Sequence, residues 1–397
     1  MDDIQKKPIW TWSFLSICFS NFIVFLVFYA LLTTLPIYAM KQLGRDEAEG
    51  ALLVTVMLIA AIILRPFSGM IIDSLGKKKT LCIAIFLFSM TTFAYLLFGA
   101  YTELLVVRFI HGISFAIATT AAGAIAADII PPERRGEGLG YYTMSTNIAI
   151  VAGPFIGLTL MQFIPFQSLF LTLSIITVIG IILSLFVHVP YIDTSNIARE
   201  KFSIHSLFEV KALPIAIIAG IVSFAYSGII SLISVFADSI ELSSVSSYYF
   251  VIFAVVMLLS RPSTGKAFDL RGASFVLIPS LIVFAIGFLA LSITGSSIMF
   301  FIAAAITGLG YGALLPGFQT MAIEMTSVQR TGHATATFFT MYDIGIALGT
   351  YLLGVLVTKT NFSFVYITCA LVIGFVTILF VFYQRKQKLL ASSTKMD

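Results

Sequence analysis

The sequence predicts an all-α integral membrane protein with twelve transmembrane helices in two parallel halves of six. Composition, the spacing of apolar segments and an internal repeat lead to this prediction. Hydrophobic residues make up 59% of the 397 residues and charged residues only 11%, whereas an ordinary soluble domain has about 25% charged residues. Apolar segments of about twenty residues, the length that crosses the hydrocarbon of a bilayer, recur along the chain. Helices are expected because the backbone in lipid must satisfy its own hydrogen bonds.

Twelve apolar segments are long enough to form the transmembrane spans. Their predicted bounds are 12–39, 50–72, 80–98, 103–128, 138–163, 166–187, 212–237, 246–267, 274–293, 297–323, 332–357 and 361–383. The last six follow the first six at a nearly constant distance, which divides the chain into halves. The predicted organisation is an N-terminal half over 1–187, a cytoplasmic linker over 188–211, a C-terminal half over 212–383 and a cytoplasmic tail over 384–397.

One short segment occurs twice, 196 residues apart. Arg65, Pro66, Gly69, Asp73 and Gly76 recur as Arg261, Pro262, Gly265, Asp269 and Gly272. The same offset relates Asp128 to Glu324, Arg134 to Arg330, Gly136 to Gly332, Asn147 to Asp343 and Gly153 to Gly349. A constant offset over this length indicates two halves with matched helix lengths. In a membrane protein, two parallel halves with a site between them are typical of transporters.

Lysine and arginine are concentrated in one set of predicted loops. The opposite set holds only Lys41, Arg45 and Lys359. Because positively charged loops remain in the cytoplasm, both termini and the linker are predicted to be cytoplasmic in a multi-pass protein of the cell membrane. The net charge of +4 reflects this bias and does not indicate a nucleic-acid partner.

The three cysteines, Cys18, Cys82 and Cys369, all lie inside predicted spans. We expect them to be small core residues, with no disulfide, metal site or cofactor. The apolar N-terminal stretch is longer than a signal-peptide core, so no cleavable signal is expected.

The run Gly69-x-x-x-Asp73-x-x-Gly76-Lys77-Lys78 lies between predicted spans 2 and 3. It resembles motif A, the loop signature of the major facilitator superfamily. The resemblance covers nearly the whole chain and implies that family's fold of two six-helix halves. It also implies a transporter that opens alternately to the two sides of the membrane.

Three further segments extend the resemblance. Arg108-Phe109-Ile110-His111-Gly112 in span 4 resembles motif B, and Ala149-x-x-x-Gly153-Pro154-x-x-Gly157 in span 5 resembles motif C, which is associated with antiporters. Leu35-Pro36-Ile37-Tyr38 is similar to a sequence common in twelve-span drug:proton antiporters. Ala149 and Leu158 depart from motif C, where the family has glycine.

The resemblance to motif A implies a gate on the cytoplasmic side. Glycines at 69 and 265 would allow close helix approach, and those at 76 and 272 a tight turn. Asp73 and Asp269 are expected to accept hydrogen bonds from the N-termini of spans 11 and 5, respectively. One charge cluster would then comprise Arg65, Asp73, Lys77 and Asp128, and its counterpart Arg261, Asp269 and Glu324. The alternative is ordinary anchoring of these charges at the lipid headgroups.

Span 5 contains a second predicted gating element. Pro154 removes a backbone donor and is expected to bend the helix, while Gly153 and Gly157 would permit tight contact with a facing helix. We expect a close-packed seam between the halves at this point.

Proton coupling is predicted for three residues inside the hydrocarbon. Asp343 is the only carboxylate in the middle of a predicted span, and its repeat counterpart is the neutral Asn147. Charges at this depth are costly and usually face a cavity. Arg108 and His111 lie one helical turn apart on one face of span 4, and the resemblance makes Arg108 the motif B arginine. Helix packing is the alternative for both Asp343 and His111, whereas His333, at the start of span 11, is expected to pack at a helix end.

The resemblance implies a substrate cavity lined by spans 1, 4, 7 and 10 with parts of 2, 5, 8 and 11. The candidate lining residues are Asn21, Phe25, Tyr29, Phe115, Asn147, Tyr226, Tyr311, Gln319 and Tyr342. Aromatic walls with a few polar groups suit amphiphilic molecules.

These features together predict a proton-coupled exporter of small amphiphilic or drug-like molecules. Its partners would be the substrate, protons and the lipid bilayer, and we expect a monomer. One alternative is a dedicated exporter of one anionic metabolite, such as a metal-chelating compound, with Arg108 and His111 as positive contacts. The other is a membrane-embedded receptor or enzyme, but no phosphate-binding loop, metal motif or catalytic Ser-His-Asp spacing appears in the sequence.

Overall fold

The structure is a computed structural model that describes residues 8–45, 47–189, 207–242 and 245–393. Within these residues the chain forms twelve long α-helices and no strand. The helices are α1 (Trp12–Leu43), α2 (Glu47–Leu75), α3 (Lys77–Ala94), α4 (Tyr101–Ile129), α5 (Arg135–Phe163), α6 (Phe166–Phe186), α7 (Leu213–Ser239), α8 (Ser246–Arg271), α9 (Ala273–Ser292), α10 (Ser297–Glu324), α11 (Thr331–Lys359) and α12 (Phe362–Ser393).

Eleven of the described helices are long and apolar enough to cross a membrane. The exception is α3, which has 18 residues and begins with three lysines. The prediction of an all-α membrane protein is therefore confirmed. Helix α12 continues to Ser393, ten residues past its predicted span, because the tail sequence also favours a helix. Most of the predicted linker, residues 190–206, lies outside the described residues.

The internal repeat is visible in the helix ends. Helices α5 and α11 begin 196 residues apart and end 196 residues apart. The turns after α2 and α8 also share their backbone conformation, because Gly76 and Gly272 both have φ of 84°. L-residues with a side chain rarely adopt this backbone conformation, so each repeat needs glycine at this position.

The chain separates into two compact units. Unit 1 comprises Met1–Val210 together with Ile323–Thr340, and unit 2 comprises Lys211–Ala322 together with Met341–Asp397. Unit 1 therefore contains the end of α10 and the first ten residues of α11 in addition to the six N-terminal helices.

Within unit 1, α1 packs mainly on α5 and α6, and α2 packs on α4. The α2–α4 contact is close at Gly112, where an added methyl group would lie 2.9 Å from Ala60 Cβ. Within unit 2, α12 packs on α9 and α7. The backbones of α8 and α10 approach closely at Gly308, the repeat counterpart of Gly112, where an added methyl group would lie 3.0 Å from Phe253 Cα. Small residues allow this kind of packing between membrane helices.

Candidate functional site

Helix α11 contacts the motif A turn of unit 1 through a histidine. His333 Nε2 lies 2.6 Å from Asp73 Oδ2, and the His333 side chain is 3% exposed. The imidazole packs on Gly69, where an added methyl group would come within 2.7 Å of His333 Nδ1. Asp73 therefore meets the first turn of α11, as the sequence predicts, but it does so through the His333 side chain. Gly69 leaves the space that the imidazole occupies.

A second charged contact lies beside the first. Lys77 Nζ donates to Asp128 Oδ2 at 2.5 Å, and both side chains are largely buried. The same ammonium lies 3.5 Å from the Val328 carbonyl oxygen, just before α11. We call Asp73, Lys77, Asp128 and His333 the motif A cluster. It joins α2, α3 and α4 to the start of α11.

Two ion pairs flank the starts of α5 and α11. Arg134 pairs with Glu137 in the first turn of α5 at 2.8 Å. Its repeat counterpart Arg330 pairs with Glu209 at 2.5 Å, and the Glu209 N–H donates to Thr337 Oγ1 at 2.8 Å. The segment before α7 is thus attached to the start of α11. No motif in the sequence marks Glu209 for this role.

Arg65 is buried in unit 1, where it contacts α4 and α11. Its Nη1 donates to Thr119 Oγ1 at 3.1 Å, and the guanidinium carbon lies 5.8 Å from the Phe115 ring centroid and 5.2 Å from that of Phe339. Rings at these distances stabilise a cation by their quadrupole.

The second copy of the motif is divided between the units. Arg261 and Asp269 lie in unit 2, whereas Glu324 lies in unit 1. Arg261 is 2% exposed, and none of its three guanidinium nitrogens has a hydrogen-bond partner among the described residues. The predicted charge cluster therefore has no hydrogen bond from Arg261 here, and its role in gating stays a prediction.

The motif C glycines pack α5 on α1. An added methyl group at Gly153 would lie 2.7 Å from Tyr29 Cβ and 2.8 Å from the Leu26 carbonyl oxygen, and one at Gly157 would lie 2.9 Å from Thr34 Cγ2. The sequence predicts a seam between the two halves at these glycines. The structure places this contact inside unit 1, because both glycines face α1. Pro154 lies within α5, which is continuous from Arg135 to Phe163.

Arg108 and His111 are both fully buried in α4. Arg108 Nε donates to the Leu53 carbonyl oxygen at 3.0 Å, while Nη1 and Nη2 have no geometric hydrogen-bond partner among the described residues. His111 Nδ1 lies 3.1 Å from the Tyr95 hydroxyl and Nε2 lies 3.4 Å from the Thr92 hydroxyl. Both nitrogens of His111 thus have a partner, Thr92 in α3 and Tyr95 directly after it, which favours packing over proton transfer at this residue.

Asn21 joins α1 to α5. Its Nδ2 donates to Ser145 Oγ at 2.8 Å and to Thr146 Oγ1 at 2.9 Å, and its Oδ1 accepts from the Tyr142 hydroxyl at 2.9 Å. The amide therefore has partners for both donors and for its acceptor. This arrangement favours a structural role over the predicted contact with substrate.

The other N-terminal candidates form one aromatic group. The Phe25 ring meets Tyr29 and Phe115 with centroids 6.2 Å and 5.2 Å away, and Phe115 stacks on Phe28 at 4.6 Å. Phe115 is buried, whereas Phe25 and Tyr29 are partly exposed and are the better placed of the three to meet a ligand. Asn147 is 2% exposed, and its Nδ2 has no partner in the described part of the chain.

The C-terminal candidates form a second aromatic group in unit 2. Tyr226 stacks on Tyr311 with ring centroids 3.9 Å apart and an interplanar angle of 12°. The Tyr311 and Tyr342 hydroxyls are hydrogen-bonded to each other. Asp343 follows Tyr342 in α11 and is half-buried. Gln319 is fully buried, and neither amide atom has a partner among the described residues.

Residues 17–275 and 249–396 match the sequence model of the Major Facilitator Superfamily. Together the two matches cover nearly the whole chain. The chain therefore belongs to the Major Facilitator Superfamily and is a multi-pass membrane transporter.

Two relatives show how the sequence is related within the family. Over 139 residues the chain is 32% identical to the quinolone resistance protein NorA of Staphylococcus aureus, a match that covers 35% of this chain and 36% of NorA. The chain thus matches about a third of the length of NorA. Over 341 residues it is 24% identical to an uncharacterized MFS-type transporter of Methanocaldococcus jannaschii, covering 81% of this chain and 85% of the relative.

Solved structures share the fold at low sequence identity. The human organic anion transporter MFSD10 (TETRAN) aligns with a TM-score of 0.78 at 14% identity, covering 93% of this chain and 98% of that one. The fucose:proton symporter FucP of E. coli aligns with a TM-score of 0.73 at 15% identity, covering 92% and 98%.

Proposed function

We propose that this transporter exports small amphiphilic molecules across the cell membrane, driven by proton influx, by alternating access. The motif A cluster supports this proposal most directly. It binds the first turn of α11 to the ends of α2, α3 and α4 with a histidine–carboxylate contact and an ion pair. Such contacts stabilise only the state in which α11 lies against this turn, so breaking them accompanies a change of state.

The direction of transport is inferred from a relative and from motif C. NorA is named a quinolone resistance protein, and this name favours removal of a drug from the cell as the direction of transport for this protein. Gly153 and Gly157, which pack on α1, belong to the segment that resembles motif C, and motif C is associated with antiporters. Each unit has its own aromatic group that would suit a flat, amphiphilic substrate: Phe25 and Tyr29 in unit 1, and Tyr226, Tyr311 and Tyr342 in unit 2.

Asp343 is our candidate for the proton carrier. It is a half-buried carboxylate beside the tyrosine group, and its repeat counterpart Asn147 does not titrate. An exporter driven by proton influx must protonate the carrier from outside and deprotonate it towards the cytoplasm. His111 is the competing carrier, although Tyr95 and Thr92 already engage its ring.

Norfloxacin transport in everted vesicles tests this function. The unaltered protein should accumulate norfloxacin against its gradient when the vesicle interior is acidified, and a protonophore should abolish the accumulation. Asp343→Asn, which is permanently neutral, should lose this uphill transport and keep downhill exchange. His111→Ala is the matched control, because it removes the other titratable group without altering α11.

Substrate-induced proton release from purified protein distinguishes the two carriers. We expect release from His111→Ala and none from Asp343→Asn. Normal release from Asp343→Asn, with loss from His111→Ala, would assign coupling to α4. Accumulation that ignores the pH gradient would exclude proton coupling altogether.

One observation favours the alternative of a dedicated exporter of an anionic metabolite, such as a metal-chelating compound. Two nitrogens of the buried Arg108 have no geometric partner among the described residues, although the Tyr95 hydroxyl is close enough to interact. Competition of norfloxacin uptake by a polycarboxylate chelator but not by lipophilic cations would support this alternative.

A further inference from the structure

Arg261 is a buried cation whose guanidinium has no hydrogen bond to any residue that the structure describes. It is 2% exposed, and its Nε, Nη1 and Nη2 have no partner in the described part of the chain. Buried polar groups are almost always hydrogen-bonded, and a buried charge is normally paired. The guanidinium of Arg261 therefore has donors that a bound partner could use.

The internal repeat supplies a built-in comparison. Arg65, the counterpart of Arg261, is also buried, but its Nη1 donates to the Thr119 hydroxyl. Residue 315, the repeat counterpart of Thr119, is Leu315, which has no polar group. The second half has therefore lost the partner that the first half retains, while it keeps the arginine.

The surroundings of Arg261 suit an aromatic anion. Phe253, about two turns before Arg261 in α8, has its ring centroid 6.1 Å from that of Tyr226 and 6.0 Å from that of Tyr311. Ser260, the neighbour of Arg261, packs on Gly312, the neighbour of Tyr311, where an added methyl group would lie 2.6 Å from the Ser260 Oγ. This part of α8 therefore lies against the tyrosine pair. Tyr226 and Tyr311 are stacked, and Tyr342 is half-buried and hydrogen-bonded to Tyr311. Arg261 and the three tyrosines all belong to unit 2 and lie near the middle of their helices, at the depth where transporters bind their substrates.

We propose that Arg261 and the tyrosines at 226, 311 and 342 form a binding site for the carboxylate of an aromatic substrate. The planar guanidinium would donate two parallel hydrogen bonds to the carboxylate, and the tyrosine rings would contact the substrate ring. This assignment rests on the proposed export function and narrows its substrate class to amphiphiles with a carboxylate. It also makes Arg261 a specificity residue instead of a member of a charge cluster.

Equilibrium binding of an isosteric pair tests the site. The probes are 2-naphthoate and 2-naphthamide, which share ring and size and differ in charge at neutral pH. They are dialysed against purified protein, with protein-free micelles as the blank. A charge-assisted bidentate contact predicts that the unaltered protein binds the naphthoate about 10-fold or more tightly than the naphthamide.

Three variants locate the effect. Arg261→Gln should lower the ratio of the two affinities to about 1, because only the ionic partner is removed. Arg261→Lys keeps the positive charge but loses the planar guanidinium with its two parallel donors, so it should give an intermediate ratio. Arg271→Gln is the matched control in the same helix; its guanidinium lies 4.7 Å from the Phe275 ring centroid, so the ratio should not change.

The outcomes separate this site from other roles. An unchanged ratio in Arg261→Gln, or no preference for naphthoate in the unaltered protein, would overturn the proposal. If Arg261 instead tuned Asp343, Arg261→Gln would alter proton release and leave the ratio unchanged. Gel filtration and circular dichroism of Arg261→Gln and Arg261→Lys establish that both are folded. Loss of proton-driven efflux with an intact ratio would reject the export function and retain the site.

Discussion

At the scale of single residues, His333 has the most important role that the sequence did not reveal. Its position at the start of α11 predicts helix-end packing, whereas the structure brings it against both Gly69 and Asp73. The repeat contains no signal for this contact, because the counterpart of His333 is Glu137, which pairs with Arg134 directly before its own helix. Gly69 and Asp73, four residues apart in α2, thus together position the His333 imidazole: the glycine leaves space for the ring, and the carboxylate contacts its Nε2.

Gly69→Ala should destabilise the protein and slow transport. The new methyl group would meet His333 Nδ1 at 2.7 Å and its Cα at 3.0 Å. Overpacking of this kind costs about 1–3 kcal/mol. The measurement is the thermal unfolding midpoint of purified protein together with norfloxacin transport in proteoliposomes.

Gly374→Ala in α12 is the control for this substitution. No atom lies within 4 Å of the added methyl group there, so stability should be unchanged or rise by up to about 1 kcal/mol. Equal midpoints for the two alanine variants would show that His333 moves aside without cost.

At the scale of elements, the motif A cluster is a contact between helix ends. The Asp73 side chain is 45% exposed and that of His333 is 3% exposed, so water weakens this contact only on one side. The Lys77–Asp128 pair is more deeply buried and lies next to it. The cluster therefore combines one contact that is easily broken with one that is held more firmly.

A double-mutant cycle on Asp73 and His333 tests whether they act as one unit. Asp73→Asn and His333→Gln should each slow norfloxacin transport without reducing the amount of inserted protein. If the two side chains act through their mutual contact, the double variant should be little slower than either single variant. This non-additivity corresponds to a coupling energy between Asp73 and His333 of about 1 kcal/mol. Additive effects in proteoliposomes would show that each residue has an independent role. Normal transport by Asp73→Asn would reduce the turn to an anchor at the headgroups.

At the scale of the whole molecule, the charge distribution predicts which side of the membrane each loop faces. Glu133, before α5, and Asn361, before α12, are both exposed in the structure and belong to opposite sets of loops. We therefore expect a cysteine at either position to be accessible from one side of the membrane only.

Labelling with an impermeant thiol reagent tests this orientation. In a background with Cys18, Cys82 and Cys369 replaced by serine, Asn361→Cys should react in intact cells. Glu133→Cys should react only in everted vesicles, because the positive-inside rule places its loop in the cytoplasm. The reverse pattern would invert the topology and with it the proposed direction of transport.

The fold was predictable from the sequence for a physical reason. Helix length and polarity in lipid are set by the bilayer, so apolar length alone defines the spans. Nearly all predicted bounds lie within a few residues of the helices. The sequence also predicted that Lys77 and Asp128 belong to one charge cluster and that the glycines at 76 and 272 form tight turns. These residues lie at helix ends, where few partners are within reach.

The sequence by itself determined the class, the twelve helices, the repeat and the turns, since all of these depend on composition and local spacing. Only the tertiary structure decided which side chains are satisfied. It shows that Asn21 accepts a hydrogen bond from Tyr142, that His111 lies beside the Tyr95 hydroxyl, and that Gly153 packs on α1. It also left the nitrogens of Arg261 without hydrogen bonds among the described residues. Hydrogen bonding and packing depend on which atoms of distant segments come within about 3 Å of one another, and no local pattern encodes that distance.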